Sequence, residues 1–249
     1  SALPSAPAAA AAAALTSLEH LLAGLAATAL KEERSGGVPS LQLKALAGTA
    51  LPLRTSPEAL PDAQLAQAFL AAEDHTFFQH SGVDPSGLAR AMAKNLVNIA
   101  RGRRLEGGST ITQQVAKNVL LTNDRTAGRK FKEAILARRL EQTLNKEQIL
   151  ELYLNEIWLG YRSFGVGAAA YNYFGKSISD LSLAECAYLA ALPKGPDNYH
   201  PIRHKAKALA RRNFVLDQMA DLGWVTQQEA DRAKAEDLKV QAAPSRSKY

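Results

Sequence analysis

Cysteine and histidine are scarce in this chain of 249 residues. The single cysteine, Cys186, excludes an internal disulfide, and its apolar surroundings predict a small buried side chain. The five histidines are scattered and lack the spacing of zinc ligands. The sequence therefore offers neither a disulfide framework nor a zinc motif as the basis of folding or catalysis.

An uninterrupted apolar run of the roughly 20 residues that a membrane span requires is also missing. The longest apolar stretch, residues 15–30, is broken by Glu19 and His20 and follows a run of alanine at 8–14. We expect residues 1–40 to form an alanine-rich, flexible segment. Because the chain begins with Ser1 and not with methionine, we expect a fragment or a processed protein.

Acidic residues are fewer than basic ones, 24 against 30, which gives a net charge of +6 and an isoelectric point near 9.4. This balance favours anionic partners such as phospholipid headgroups, a diphosphate or nucleic acid. Aromatic residues make up only 6% of the chain and show no basic-aromatic RNA-binding pattern. We therefore expect no nucleic acid among the partners.

Helical patterns dominate the region that we expect to be the main domain, residues 61–240. Before it, residues 41–60 predict a short linker or hairpin, and residues 241–249 predict a tail or a truncated junction. We expect helices near residues 61–80, 84–100, 109–120, 128–144, 146–159, 165–174, 180–192, 203–221 and 226–237. Capping boxes at Asn145/Gln148 and Thr226/Glu229 predict the starts of two of them. The run 180–192 is apolar nearly all round and predicts a core helix.

A glutamate, Glu73, lies inside an otherwise apolar helical pattern. Five residues of the first helix share an arc of about 120°: Leu65, Phe69, Glu73, Phe77 and His80. Glu73 should therefore point towards the core. Desolvation raises the pKa of a glutamate, so that it can act as an acid or base near neutral pH. The alternative is a partly buried glutamate held by a local salt bridge.

A glycine-rich turn, residues 107–114, follows the basic loop 101–104. Two glycines before Ser109 and Thr110 predict the start of a helix, whose free N–H groups suit a phosphate. Four polar residues at helical spacing form a stripe with one cation: Thr110, Gln114, Lys117 and Asn118. The alternative is a capped helix with a solvated face.

Two further helices place charge on apolar faces. Arg129 and Lys130 precede Glu133, which begins a seam that continues with Leu136, Leu140 and Leu144. An ordinary ion pair between Arg129 and Glu133 is the alternative. The helix at 149–155 is apolar almost all round, so Glu151 should be buried, where a structural hydrogen bond competes with a catalytic role. Arg211, on a basic helix, could equally be a surface residue.

These blocks, in this order, resemble the peptidoglycan glycosyltransferases of family 51. The family includes class A penicillin-binding proteins and monofunctional transglycosylases. The resemblance covers roughly residues 60 to 240, and the stretch 189–201 is more similar to the bifunctional branch. Five blocks carry it: Glu73-Asp74 with Phe77 and His80, Gly107 to Gln114, Arg129-Lys130 with Glu133, Ile149 to Asn155, and Arg211 with Val215-Leu216.

The resemblance implies a mainly α, two-lobed, lysozyme-like fold with a cleft between the lobes. It implies that lipid II and the growing glycan strand are the substrates, that undecaprenyl diphosphate is released, and that moenomycin inhibits. It also implies a location on the outer face of the bacterial cytoplasmic membrane, where an anionic surface is a further partner. Relatives in the family carry an N-terminal membrane anchor, and some use a divalent cation such as Mg²⁺ or Mn²⁺.

The same resemblance assigns roles to single residues. Glu73 would be the catalytic base, and Glu133 the second carboxylate, which orients cations or a metal near the diphosphate. Asp74, Phe77 and His80 would shape the surroundings of Glu73. The other implied substrate-binding residues are Ser109, Thr110, Gln114, Lys117, Asn118, Arg129, Lys130, Glu151 and Arg211.

Two other classes of function compete with this interpretation. A lysozyme-like glycan-cleaving enzyme would also use a glutamate acid, but hydrolysis does not explain the cationic stripe. A non-catalytic membrane adaptor would explain the basic charge, but not two carboxylates on apolar faces.

Overall fold

A computed structural model describes residues 63–100, 107–120 and 128–241 of the chain. Within these ranges the protein is helical, and the prediction of a mainly α fold is confirmed. The α-helices are α1 (Ala63–Glu73), α2 (Pro85–Ala100), α3 (Ile111–Val115), α4 (Gly128–Thr143), α5 (Lys146–Glu156), α6 (Val166–Phe174), α7 (Leu183–Ala191), α8 (Lys205–Asp221) and α9 (Gln227–Ala235). The predictions for residues 1–62, the basic loop 101–104 and residues 242–249 lie outside the described residues.

Side-chain caps fix several helix starts. Four of the helices in the described ranges begin with a capping box, in which the cap side chain and the third helical residue satisfy each other's backbone N–H groups; these pairs are Thr110/Gln113, Asn145/Gln148, Ser182/Glu185 and Thr226/Glu229. The boxes predicted for α5 and α9 are confirmed. Each cap contributes about 1 kcal/mol to the stability of its helix.

The predicted helix from Pro61 to His80 is shorter than expected, because α1 ends at Glu73. The chain turns at Asp74 and continues as a 3₁₀ turn, Phe77–Gln79. The turn frees the Asp74 carboxylate to bind the backbone N–H of Ile111, 37 residues further on. A tertiary hydrogen bond thus replaces continuation of the helix.

The helices pack in two groups. α1, α7, α8 and α9 form one group, and α3, α4 and α5 form the other, with α6 between α5 and α7. The mostly apolar helix α7 lies in the core as predicted, and Cys186 on it is fully buried. Between the two groups lies an open cavity of about 880 Å³.

Candidate active site

Glu73 is the last residue of α1 and faces the cavity between the two helix groups. The side-chain amide of Gln114, on α3, donates a hydrogen bond of 2.9 Å to Glu73 Oε2. Burial raises the pKa of Glu73, while the Gln114 hydrogen bond and the charges of Arg211 and Lys194 oppose the rise. A carboxylate with a raised pKa is suited to accept a proton from a weak acid near neutral pH.

The Gln114 hydrogen bond leads to a prediction about pH dependence. Gln114→Ala removes a donor that favours the charged carboxylate, so the pKa of Glu73 should rise further. If Glu73 must be deprotonated to act, the acid limb of the kcat/KM profile should move to higher pH. Steady-state kinetics between about pH 4 and 8 would measure this shift. An unmoved acid limb in a variant that melts like the wild type would contradict the role of this contact.

Asp74 is buried and joins three parts of the chain. Its carboxylate contacts His80 Nε2 at 3.0 Å and accepts a hydrogen bond of 3.0 Å from the backbone N–H of Ile111. Phe77 is fully buried, and its ring lies 6.2 Å from that of His80. The three residues expected around Glu73 therefore lie together, and they hold the turn after α1 against the start of α3.

Thr110 is buried, and its hydroxyl and N–H groups are engaged within the fold. Its contact with substrate stays a prediction. Its hydroxyl donates to the carbonyl of Gly82 at 2.6 Å and accepts from the N–H of Gln113 at 3.1 Å. The N–H of Thr110 itself donates to the Gln113 side chain. With Asp74 bound to the N–H of Ile111, three N–H groups at this helix start already have protein acceptors. The expected phosphate-binding helix end is thus largely occupied.

A lysine and a buried carboxylate meet at the other wall of the cavity. Lys130 Nζ contacts Glu133 Oε2 at 2.5 Å and donates a hydrogen bond of 2.8 Å to Ser109 Oγ. The Lys130 side chain is 62% exposed, whereas Glu133 is 1% exposed. The carboxylate therefore lies beneath the ammonium group and directs it towards the cavity. The sequence suggested Arg129 as the partner of Glu133, and the side chain of Arg129 lies outside the described residues.

The cavity collects half of the predicted site residues and several that the sequence did not single out. Predicted residues that line it are Glu73, Ser109, Gln114, Lys117, Lys130, Glu133 and Arg211. Unpredicted residues that line it are Gln113, Lys194, Asn198, Tyr199, Lys207 and Phe214. Lys194, Asn198 and Tyr199 lie in the stretch 189–201. The sequence of this stretch indicated a resemblance to the bifunctional branch, but it did not single out a site residue. Lys207 and Phe214 lie four residues before and three residues after Arg211, and therefore on the same helix face. This spacing in the sequence could have identified them as candidates.

Six other predicted residues do not line this cavity: Asp74, Phe77, His80, Thr110, Asn118 and Glu151. Asn118 is exposed on a π-helical turn, Ala116–Leu120, which breaks the α-helical stripe expected to join it to Lys117. Glu151 is half-buried on α5, and Asn155 on the same helix is exposed. The expectation that this helix buries its polar residues was too strong, because α5 buries Leu150, Tyr153 and their apolar neighbours instead.

A second, smaller cavity of about 160 Å³ is also lined by Glu73. It shares part of its lining with the larger cavity: Ala72, Glu73, Gly107, Ser109 and Phe214. Arg90, Lys94 and His75 add positive or titratable groups to its wall. Glu73 thus lies where two neighbouring spaces meet, an arrangement that can bring two substrates to one carboxylate.

The described part of the chain shows no group of three or more His, Cys, Asp or Glu side chains that could hold a metal ion. Mg²⁺ is commonly bound by one or two carboxylates and substrate phosphates, and Glu133 is the carboxylate nearest to that description. Its Oε2 already contacts the Lys130 ammonium group. Because the Lys130 ammonium group occupies this oxygen, the arrangement does not fit a resident metal ion.

The model of a protein family described as transglycosylase matches residues 47–220. Penicillin-binding protein 1A of Escherichia coli is 50% identical over 173 residues, which are 70% of this chain and 20% of that protein. The same protein of Aquifex aeolicus is 50% identical over 70% of this chain and 23% of its own length. This chain thus spans about a fifth of the length of these relatives.

A solved structure is also similar, that of penicillin-binding protein 1A from Haemophilus influenzae. It is 47% identical, with a TM-score of 0.38, over 39% of this chain and 15% of that one. The family model, in contrast, spans the cavity residues from Glu73 to Phe214. Because it matches well over half of the residues, the chain belongs to the transglycosylase family.

Proposed function

We propose that this chain is a peptidoglycan glycosyltransferase, which polymerises lipid II into β-1,4-linked glycan strands and releases undecaprenyl diphosphate. The observation that supports this most is one cavity that holds a half-buried glutamate and several cations, in a chain of the transglycosylase family. Glycosyl transfer from a lipid diphosphate needs both a base for a sugar hydroxyl and positive charge for the leaving group.

Glu73 is the base in this proposal. The 4-hydroxyl of the acceptor GlcNAc gives its proton to the Glu73 carboxylate as its oxygen attacks the anomeric carbon of the donor MurNAc. The bond from that carbon to the diphosphate oxygen breaks, and its electron pair leaves with undecaprenyl diphosphate. Attack from the opposite face converts the α linkage into β. Gln114 holds the carboxylate in place for this step through its 2.9 Å hydrogen bond.

Lys117 and Lys130 stabilise the charge of the leaving diphosphate. Both line the cavity and are exposed to it, and the Ser109 hydroxyl beside Lys130 adds a polar group. Charge-assisted hydrogen bonds to phosphate are about twice as strong as neutral ones, so such groups favour a state in which negative charge develops. Glu133 acts as a positioning residue because its buried carboxylate anchors Lys130. Arg129 in the same first turn of α4 is the further cation expected at this site.

Purified lipid II distinguishes the three classes of function. A glycosyltransferase converts it into long glycan, a glycan hydrolase leaves it intact and shortens preformed glycan, and a membrane adaptor does neither. We expect long polymer, sensitive to lysozyme digestion, on gels of labelled lipid II. Fragments of preformed glycan without polymer would reject the proposal in favour of hydrolysis.

Helix α2 carries the surface that we infer to face the membrane. None of the helices in the described ranges is long and apolar enough to cross a bilayer. α2 nevertheless exposes a stripe of Met92, Leu96 and Ile99, which are 50%, 72% and 65% exposed and share one helix face. The undecaprenyl tail of the substrate stays in the bilayer, so we infer that this stripe, which the basic residues 101–104 follow in the sequence, dips into the interface. The site would then lie at the outer face of the bacterial cytoplasmic membrane.

Liposome flotation tests the charge and the apolar contribution separately. We expect binding to anionic vesicles to weaken steeply with salt, since each basic residue near the surface contributes about 1 kcal/mol and salt screens it. Leu96→Ser together with Ile99→Ser should reduce binding at every salt concentration. Tyr171→Ser, at a side chain that is 69% exposed on α6, is the matched control. If the chain ignores anionic vesicles even at low salt, the proposed surface is wrong.

A further inference from the structure

One face of α8 runs along both cavities. Four residues on it share an arc of about 60° at helical spacing: Lys207, Arg211, Phe214 and Gln218. Lys207 and Arg211 line the larger cavity, Gln218 lines the smaller one, and Phe214 lines both. The aromatic ring therefore lies at the junction of the two spaces, together with Glu73.

Phe214 does not take part in the core packing of its helix. α8 buries a different face, which carries Ala208, Arg212, Val215, Leu216 and Met219. The Phe214 side chain is 44% exposed. The Arg211 guanidinium lies 4.7 Å from the centre of the ring and also donates a hydrogen bond of 3.5 Å to the carbonyl of Ala72, next to Glu73. These two contacts hold the ring beside the end of α1 while leaving much of it exposed.

We propose that Phe214 is a specificity-determining residue of the glycosyl transfer, and that its ring is the apolar platform for a pyranose ring lying beside Glu73. A pyranose presents C–H groups on its faces, and these pack on the negative face of an aromatic ring. Binding sites combine such apolar surfaces with a few polar groups that fix orientation. Here the polar groups that line the same spaces as the ring include Glu73 and Gln218. This inference rests on the proposed function.

Three substitutions of Phe214 separate a stacking platform from simple space filling. Phe214→Leu keeps an apolar side chain without a ring, whereas Phe214→Tyr and Phe214→Trp keep a ring. We expect the leucine variant to lower kcat/KM for lipid II by roughly 5- to 20-fold, while the two aromatic variants stay within about 3-fold of the wild type. Melting temperatures should change little because the side chain is partly exposed.

Two results would overturn the proposed role of the ring. One is wild-type kinetics in all three variants, and the other is an equal loss of kcat/KM in all three. If the wild-type chain makes no polymer from lipid II, the proposed function fails and this inference with it. Kinetics of Phe214→Leu with either lipid II or lipid-linked glycan as the varied substrate show which sugar packs on the ring. A raised KM for lipid II indicates the acceptor sugar, and a raised KM for lipid-linked glycan indicates the donor sugar.

Discussion

Glu73→Gln is expected to lower the rate of lipid II polymerisation by about 10²-fold or more, because an amide cannot accept the proton of the attacking hydroxyl. The substitution preserves shape, and the amide oxygen can still accept the hydrogen bond of Gln114. Turnover of labelled lipid II, followed as polymer on gels, measures the loss.

The stability of the same variant separates a catalytic role from a structural one. Burial raises the pKa of Glu73, so its ionised form is unfavourable in the folded protein, and this penalty grows as pH rises above the unfolded pKa. Removing the charge should leave the melting temperature at pH 7 unchanged or higher. Near wild-type turnover in a variant with unchanged melting would reject Glu73 as the base.

Lys130→Ala should weaken both lipid II use and the binding of moenomycin, a phosphoglycolipid. A charge-assisted hydrogen bond to phosphate contributes about 1.5–3 kcal/mol, which corresponds to roughly 10- to 150-fold in affinity. We expect a similar loss for Arg129→Ala, on the same first turn of α4. Titration with a labelled moenomycin measures affinity directly, without turnover.

Lys132→Ala is the matched control for this experiment. Lys132 is exposed on the same helix and does not line either cavity, so its removal changes the net charge equally without touching the site. A loss of moenomycin affinity in this control as large as in Lys130→Ala would indicate a general charge effect. Unchanged affinity in both the Lys130 and Arg129 variants would move the phosphate site elsewhere.

The elements that were predicted well depend on local rules. The pairs Asn145/Gln148 and Thr226/Glu229 marked the starts of α5 and α9, because a capping box is formed by residues three apart. The apolar pattern of α7 predicted a core helix for the same reason, since periodicity within one helix decides which side chains can be buried together. Glu73 could be singled out as a candidate because a carboxylate interrupts such a pattern.

The misplaced elements depend on contacts between distant residues. α1 stops at Glu73 because the turn lets Asp74 bind the N–H of Ile111, and no pattern within residues 61–80 carries that information. The helix start at Thr110 was expected to offer free N–H groups to a phosphate, but three of these groups have protein acceptors. Asn118 does not continue the polar stripe that was expected to include Lys117, because these residues form a π-helical turn.

The sequence by itself determined the helical composition, the acidic residue at the end of α1 and membership of a family, because these follow from local periodicity and from motifs in order. Only the tertiary structure decided which groups share the cavity. Arg211 reaches the carbonyl of Ala72 across 139 residues of chain, and that approach brings Phe214 to the junction beside Glu73. Such convergence depends on how whole helices pack, which spacing along the chain does not specify.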